Sequence, residues 1–179
     1  MGKHSKEDKL RAFSRLLDIQ ERLRKECPWD RKQTFDSLRP NTIEETYELC
    51  DALIKHDKKN ICKELGDLME HIIFYAMLGE EAEDFDMVDI CNQQSDKLMF
   101  RHDFINWKID GKWTVSDPKM EIDESGRVVY KDTLEEKKKG KGLPTTGAEV
   151  ESSWELRKQQ ERDGNKTVLS GVPASLPAL

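Results

Sequence analysis

The sequence predicts an all-α protein: a four-helix-bundle-like domain with a strand-containing insertion ahead of a C-terminal helix. Three observations lead there. Four successive segments carry apolar residues at helical spacing, and the connections between them are short. After Arg101 the helical period gives way to partial alternation broken by glycine turns.

The first segment, residues 6–25, places Leu10, Phe13, Leu16, Leu17 and Leu23 at helical intervals. Cys27, Pro28, Trp29 and Asp30 end it, because proline disfavours helical geometry in the residue before it. Asp30 is expected to cap a short turn through Gln33 and Phe35. A second helix is expected from an N-cap at Asn41 or Thr42, with Glu44 and Glu45 favoured in its first turn by the helix dipole. Its apolar stripe is Ile43, Tyr47, Cys50 and Ile54. After a short connection at 56–58, a third helix carries Ile61, Leu65, Leu68, Ile72 and Tyr75, and so short a link makes the two antiparallel neighbours. A fourth runs over 86–101 with Val88, Cys91, Leu98 and Met99 as its apolar set.

Beyond it, 107–115 and 119–130 read as short strands or a hairpin, and 137–147 as a charged linker rich in Gly, Pro and Thr. Helical signals resume over 148–163, followed by an apolar but proline-broken tail at 172–179. The expected organisation is a helical bundle over 1–102, an insertion over 103–147, and a C-terminal helix and tail over 148–179 belonging to the same domain as the bundle.

Of the 179 residues, 36% are hydrophobic and 37% charged, so the core must be economical. No apolar run approaches the roughly 18 residues needed to span a bilayer. The polar N-terminus leads into a charged helix and does not resemble a signal peptide. Four scattered cysteines lack CxxC spacing, which fits free thiols in a reducing cytoplasm better than a zinc site or a disulfide framework. A formal net charge of −6 argues against a nucleic-acid-binding surface.

The chemistry centres on carboxylates. Glu45 and Glu48 stand three apart on the second helix, and Glu64 and Asp67 three apart on the third, so each pair projects to one side. On antiparallel helices the four can converge, and like charges held that close call for a cation. Hard oxygen donors suit Mg²⁺, or Mn²⁺, rather than zinc. The competing reading is a set of ordinary solvated acidic positions. Since Glu45 and Glu48 point nearly opposite the Ile43/Tyr47 stripe, the second helix needs a partner on both faces, which suggests oligomerisation. Gly66 offers a position for close approach.

Lys97 and Arg101 sit one turn apart on the fourth helix and can meet phosphate oxygens together; the alternatives are a solvated basic face or a pairing with Asp96. Asp96 can reach a metal or hold Lys97. Trp29 can stack on a base or anchor packing, and His71 reads as a bystander.

The run Glu44-Glu45-Thr46-Tyr47-Glu48, followed by Glu64-Leu65-Gly66-Asp67, resembles the EExxE…ExxD signature of MazG-type nucleotide pyrophosphohydrolases. So do Leu16 to Ile19 through Arg24, Cys27 to Asp30, Gln33-Thr34, Asp96 to Leu98 with Arg101-His102, Trp154 to Lys158, Gly171 to Pro173, and Leu176 to Leu179. The resemblance covers residues 8–102 and 149–179. It implies an all-α fold, a dimer or higher homo-oligomer, and hydrolysis of a nucleoside triphosphate to monophosphate and pyrophosphate. Carried over by motif, Glu45, Glu48, Glu64 and Asp67 are the implied metal ligands, with Glu44 orienting water or a ligand beside them. Water would attack the α-phosphorus while Mg²⁺ stabilises the departing pyrophosphate.

Two departures stand out. Asp103 to Asn106 replace a His-Val-Phe-Gly-like loop and open the insertion, and the sequence given stops at Leu179 where two-copy members continue into a second domain. It thus resembles the N-terminal copy of a two-copy member. The expected function is nucleotide-pool housecleaning; the alternative is a non-catalytic or weakly active oligomerisation module that retains nucleotide binding.

Overall fold

A computed structural model describes residues 3–132 and 144–161. The chain divides into two compact units, Met1–Ile90 and Cys91–Leu179. Among the described residues it is helical apart from one two-stranded sheet, which makes it the all-α protein expected. The tail at 172–179 and the linker residues 137–143 lie outside the described residues.

In the first unit, α1 (Lys6–Glu26) begins in a capping box, where Ser5 Oγ accepts from the Asp8 amide while the Asp8 carboxylate accepts from the Ser5 amide. It ends at Cys27, whose backbone is extended ahead of Pro28. A 3₁₀ turn follows at Asp30–Lys32. Asp30 does not cap it: the N-cap is Trp29, with no side-chain bond, and Asp30 is the buried first residue of the turn.

The second helix, α2 (Phe35–Ile54), starts well before Asn41. Thr34 and Ser37 form a capping box there, and Pro40 is carried inside the helix. Proline's fixed φ suits helical geometry, and the cost is the N–H that would have met the Asp36 carbonyl together with crowding of the ring against that carbonyl. The proline is nonetheless absorbed near the beginning of the helix.

The short link at 55–57 brings α2 against α3 (Lys58–Glu81), whose N-terminus is capped by Asp57 accepting from the amides of Lys59 and Asn60. The pair packs with a different face of α2 from the one expected. Ile43, Tyr47, Cys50 and Ile54 are all exposed, Ile54 by 78%. The inward positions are Leu38, Thr42, Glu45, Leu49 and Ala52. Leu38 lies in a cluster with Phe74 and Leu78, and the Thr42 and Tyr75 hydroxyls bond at 2.7 Å. On α3, Leu65 and Ile72 are likewise exposed, while Ile73, Phe74, Ala76 and Leu78 are buried. Helical period was legible in both helices; which side met the partner within the chain was not.

Arg24 ties this unit together. Its Nε and Nη2 donate to the two Glu81 oxygens at 2.7 and 2.6 Å, its Nη1 donates to the carbonyls of Asp30 and Gln33, and the guanidinium lies over Phe74. One side chain thus fastens α1, the 3₁₀ turn and α3. At Gly79 a Cβ would fall 2.6 Å from the Phe85 ring, so glycine is what lets the chain fold back after α3.

The fourth helix, α4 (Met87–Arg101), continues into the second unit. There Met99 and Phe100 form a core with Met120 and Val128, flanked by Trp107, Val115, Ile122 and Tyr130. The expected hairpin is present as β1 (Met120–Ile122) and β2 (Val128–Tyr130), antiparallel with Glu121 opposite Val129. Residues 107–115 are turns and irregular chain instead of strand. Trp107 accounts for that: its Nε1 donates to the Met99 carbonyl and its ring packs edge-on to Trp113, so side-chain bonds hold the segment in place of a ladder. Gly126 has a φ of +83°, and a Cβ there would collide with Asn106. The last described helix, α5 (Gly147–Gln160), starts in a Thr146/Glu149 capping box. It is pinned by buried Arg157, which donates to the carbonyls of Phe100 and Val128 and covers the Phe100 ring.

Candidate metal centre

The inward turn of α2 and the N-terminal half of α3 bring carboxylates together as the spacing implies. Oxygens of Glu45, Glu48 and Glu64 all lie within 4.8 Å of one another. Glu64 is only 5% exposed, Glu45 is half-buried, and Glu48 is open to solvent. One Glu45 oxygen, Oε2, is inaccessible and has no hydrogen-bond partner among the described residues. Burial raises the Glu45 carboxyl above its ordinary value, helped by the negative charges of Asp67 and Glu48 and opposed by Lys63. An orphaned, partly desolvated carboxylate among other carboxylates is what a hard cation suits: the donors are all oxygen and all anionic.

Asp67 joins the group through Lys63, a residue the sequence reading passed over. Lys63 Nζ lies 3.1 Å from both Glu64 oxygens, 3.2 Å from Asp67 Oδ2 and 3.9 Å from Glu48 Oε2. Hydrogen bonds to Glu64 and then to Asp67 hold its ammonium well above the ordinary lysine range. Its signal in the sequence was the i, i+4 relation to Asp67 combined with adjacency to Glu64. Single lysines at such spacing are so common on helices that the signal does not stand out.

The other candidates are placed as follows. Glu44 is exposed on α2. Gly66 is exposed, and among the described residues no atom beyond its own helix turn lies within 4 Å of where a Cβ would stand, so the close approach expected of it is not seen among them. Trp29 is 53% exposed in the first unit, and its carbonyl accepts from the Gln33 amide side chain. His71 keeps a buried Nδ1 without a partner.

In the second unit, the hydrogen bonds of Asp96 go to a loop and not to Lys97. Its buried carboxylate accepts from the Ser116 amide at 2.9 and 3.0 Å and from the Asp117 amide at 2.8 Å, fastening α4 to the loop before β1. Lys97 stands half-buried one turn before Arg101. Arg101 is engaged by Glu161, which accepts from its Nε and Nη2, and its guanidinium covers the Trp154 ring. Trp154 and Glu161 come from far along the sequence, and neither pairing was readable from spacing.

No helix among the described residues is long and apolar enough to cross a membrane.

The chain resembles known proteins over much of its length. Residues 33–105, which contain the second carboxylate-bearing helix and all of the third, match the MazG nucleotide pyrophosphohydrolase domain. The chain is 35% identical over 175 residues to the nucleoside triphosphate pyrophosphohydrolase of Escherichia coli K12, covering 95% of this chain and 54% of that one. It is 39% identical over 92 residues to the nucleoside triphosphate pyrophosphohydrolase/pyrophosphatase MazG of Thermotoga maritima, covering 50% of this chain and 36% of that one. It is also 30% identical over 179 residues to the uncharacterized protein YabN of Bacillus subtilis, covering 97% of this chain and 30% of that one. The chain spans about half the length of the Escherichia coli relatives it matches. With its carboxylate pairs on two adjoining helices, the chain contains a region, residues 33–105, that matches the MazG nucleotide pyrophosphohydrolase domain.

Proposed function

We propose that this chain hydrolyses nucleoside triphosphates to the monophosphate and pyrophosphate, with Mg²⁺ held by Glu45, Glu48, Glu64 and Asp67. The observation that carries the reading is the meeting of carboxylate oxygens from α2 and α3 within 4.8 Å, with Glu45 Oε2 left unpartnered among the described residues. The activity for which the Escherichia coli and Thermotoga maritima relatives are named supports it. Mg²⁺ bound there supplies charge neutralisation and Lewis-acid polarisation of phosphate oxygens. Glu44, exposed next to Glu45, is the proposed orienting group for water. Lys97 and Arg101 are proposed phosphate contacts and Trp29 a base contact, on their chemistry. Asp96 contributes indirectly, by holding the loop at 116–117. The proposed domain comprises 1–102 and 148–179, with 103–147 as an insertion. The proposed biological use is housecleaning of the nucleotide pool.

A homodimer is part of the proposal. Ile43, Tyr47 and Ile54 on α2 and Leu65, Met69 and Ile72 on α3 form apolar rows that the single chain leaves uncovered. Rows of that size in water suit a self-complementary interface.

One observation favours the rival reading of a non-catalytic module. Lys63 can neutralise part of the carboxylate charge without any metal. Pyrophosphate release by the full chain on a panel of canonical and damaged nucleoside triphosphates, with Mg²⁺ and with chelator, separates the two. The enzyme reading requires Mg²⁺-dependent release that falls by about a hundredfold or more in Glu48→Gln. Equal, negligible rates for both proteins across the panel would establish the module.

A further inference from the structure

Lys63 reaches the carboxylates from outside. Its side chain is 60% exposed, whereas that of Glu64 is 7% exposed, so a long flexible stem delivers the ammonium onto a nearly buried carboxylate. The three ammonium protons meet both Glu64 oxygens and Asp67 Oδ2. These are oxygens that the proposed metal would also need. An ammonium and a divalent cation compete for them, because two cations held within a few ångströms repel each other.

Nothing buried has to be dismantled for Lys63 to leave. It sits on the solvent side of α3, and lysine's four-carbon stem has many rotamers. Glu45 differs in this respect: its Oε2 is inaccessible and bonded to nothing among the described residues, so it is ready to ligate without losing a partner. The cluster therefore contains one donor with no competing bond, two carboxylates hydrogen-bonded to a tethered cation, and Glu48 paired with it at 3.9 Å.

We infer that Lys63 is a built-in counter-ion which the divalent metal must displace, so that this one residue sets how tightly the metal binds. The inference rests on the metal site proposed above and concerns occupancy rather than chemistry. Lys63 holds the metal-free cluster together and lowers metal affinity, so weakly interacting cations are rejected and only a divalent ion that gathers several carboxylates prevails. Its removal should act in opposite directions on the two states, loosening the metal-free protein and tightening the metal complex.

Calorimetric titration of the full chain with Mn²⁺ alone, in wild type, Lys63→Met and Lys63→Arg, tests this, with circular dichroism to verify folding. The Met variant is expected to bind Mn²⁺ about tenfold more tightly or better, and the Arg variant to stay within about threefold of wild type. Metal-free Lys63→Met should melt below wild type, and its gain in Tm on adding Mn²⁺ should exceed that of wild type. If the Met variant does not fold, Lys63→Gln takes its place with the same expectation. Equal or weaker Mn²⁺ binding in the neutral variant overturns the role of Lys63 while leaving the metal site standing. Absence of Mn²⁺ binding in all of the proteins overturns the metal site itself.

Discussion

The Arg101 guanidinium lies over the face of Trp154, 4.4 Å from the ring centroid, and gives two hydrogen bonds to Glu161. A helix that ends at residue 101 is thereby joined to one that begins at residue 147. The pairing uses what distinguishes arginine from lysine: a flat cation that stacks while its edge donates in a fork.

Arg101→Lys keeps the charge and loses both the stack and the fork. It should lower the stability of the second unit by about 1 kcal/mol, read as a drop in Tm. If Arg101 also serves the proposed nucleotide, the same variant should raise KM more than it lowers kcat.

Asp96→Asn should be costly despite its near-identical shape. The carboxylate takes the amides of Ser116 and Asp117 on both oxygens, and an amide side chain must present an NH₂ to one of them. A loss of about 2 kcal/mol is expected. Hydrogen exchange checks the cause: protection at Ser116 and Asp117 should fall more than protection along α1.

Arg24 and Glu81 give a pH prediction. Hydrogen bonding to Arg24 lowers the Glu81 carboxyl below its ordinary 4.5, with burial opposing. A depressed carboxyl contributes stability that is complete above the unfolded value and is lost as pH falls through the folded one. Acid unfolding of Glu81→Gln should therefore be shallower than wild type below about pH 4.5, with the two curves parallel around neutrality. Because Glu81 is half exposed, the effect should be small and weaken further in salt.

The uncovered apolar rows of α2 and α3 predict an assembly defect. Ile72→Lys places a charge on a 48% exposed position, so an isolated chain should fold normally. Light scattering after gel filtration should show a homodimer for wild type and a shift toward monomer for the variant. A wild type that is monomeric at high concentration would discard the dimer.

These residues also show where the sequence was legible. The helices were, because Leu, Ile and Phe recur with a period that geometry enforces, and the carboxylate pairs were, because three-residue spacing fixes a side. The start of α2 was not, since Asn41 and Thr42 also have N-cap chemistry and the Thr34/Ser37 capping box that sets the start is local and polar. The orientation of α2 was hidden by its own composition: its most apolar stripe faces solvent in the single chain, and a face containing Thr42 and Glu45 meets α3. Arg101 with Trp154, and Asp96 with Ser116, join residues far apart in sequence through hydrogen-bond geometry, which no periodicity records.

The carboxylate cluster also governs how ligands arrive. Three carboxylates lie within 3.9 Å of one ammonium there, in a chain whose formal charge is −6. A bare triphosphate carries the same sign and is turned away at a distance, while divalent ions are drawn in, an effect that salt shortens to about 10 Å. Encounter is thus selective before any contact forms. On the proposed function, the species that docks is the nucleotide with its own divalent ion, free nucleotide is a poor competitor, and raising ionic strength slows capture of the ion while easing approach of the anion.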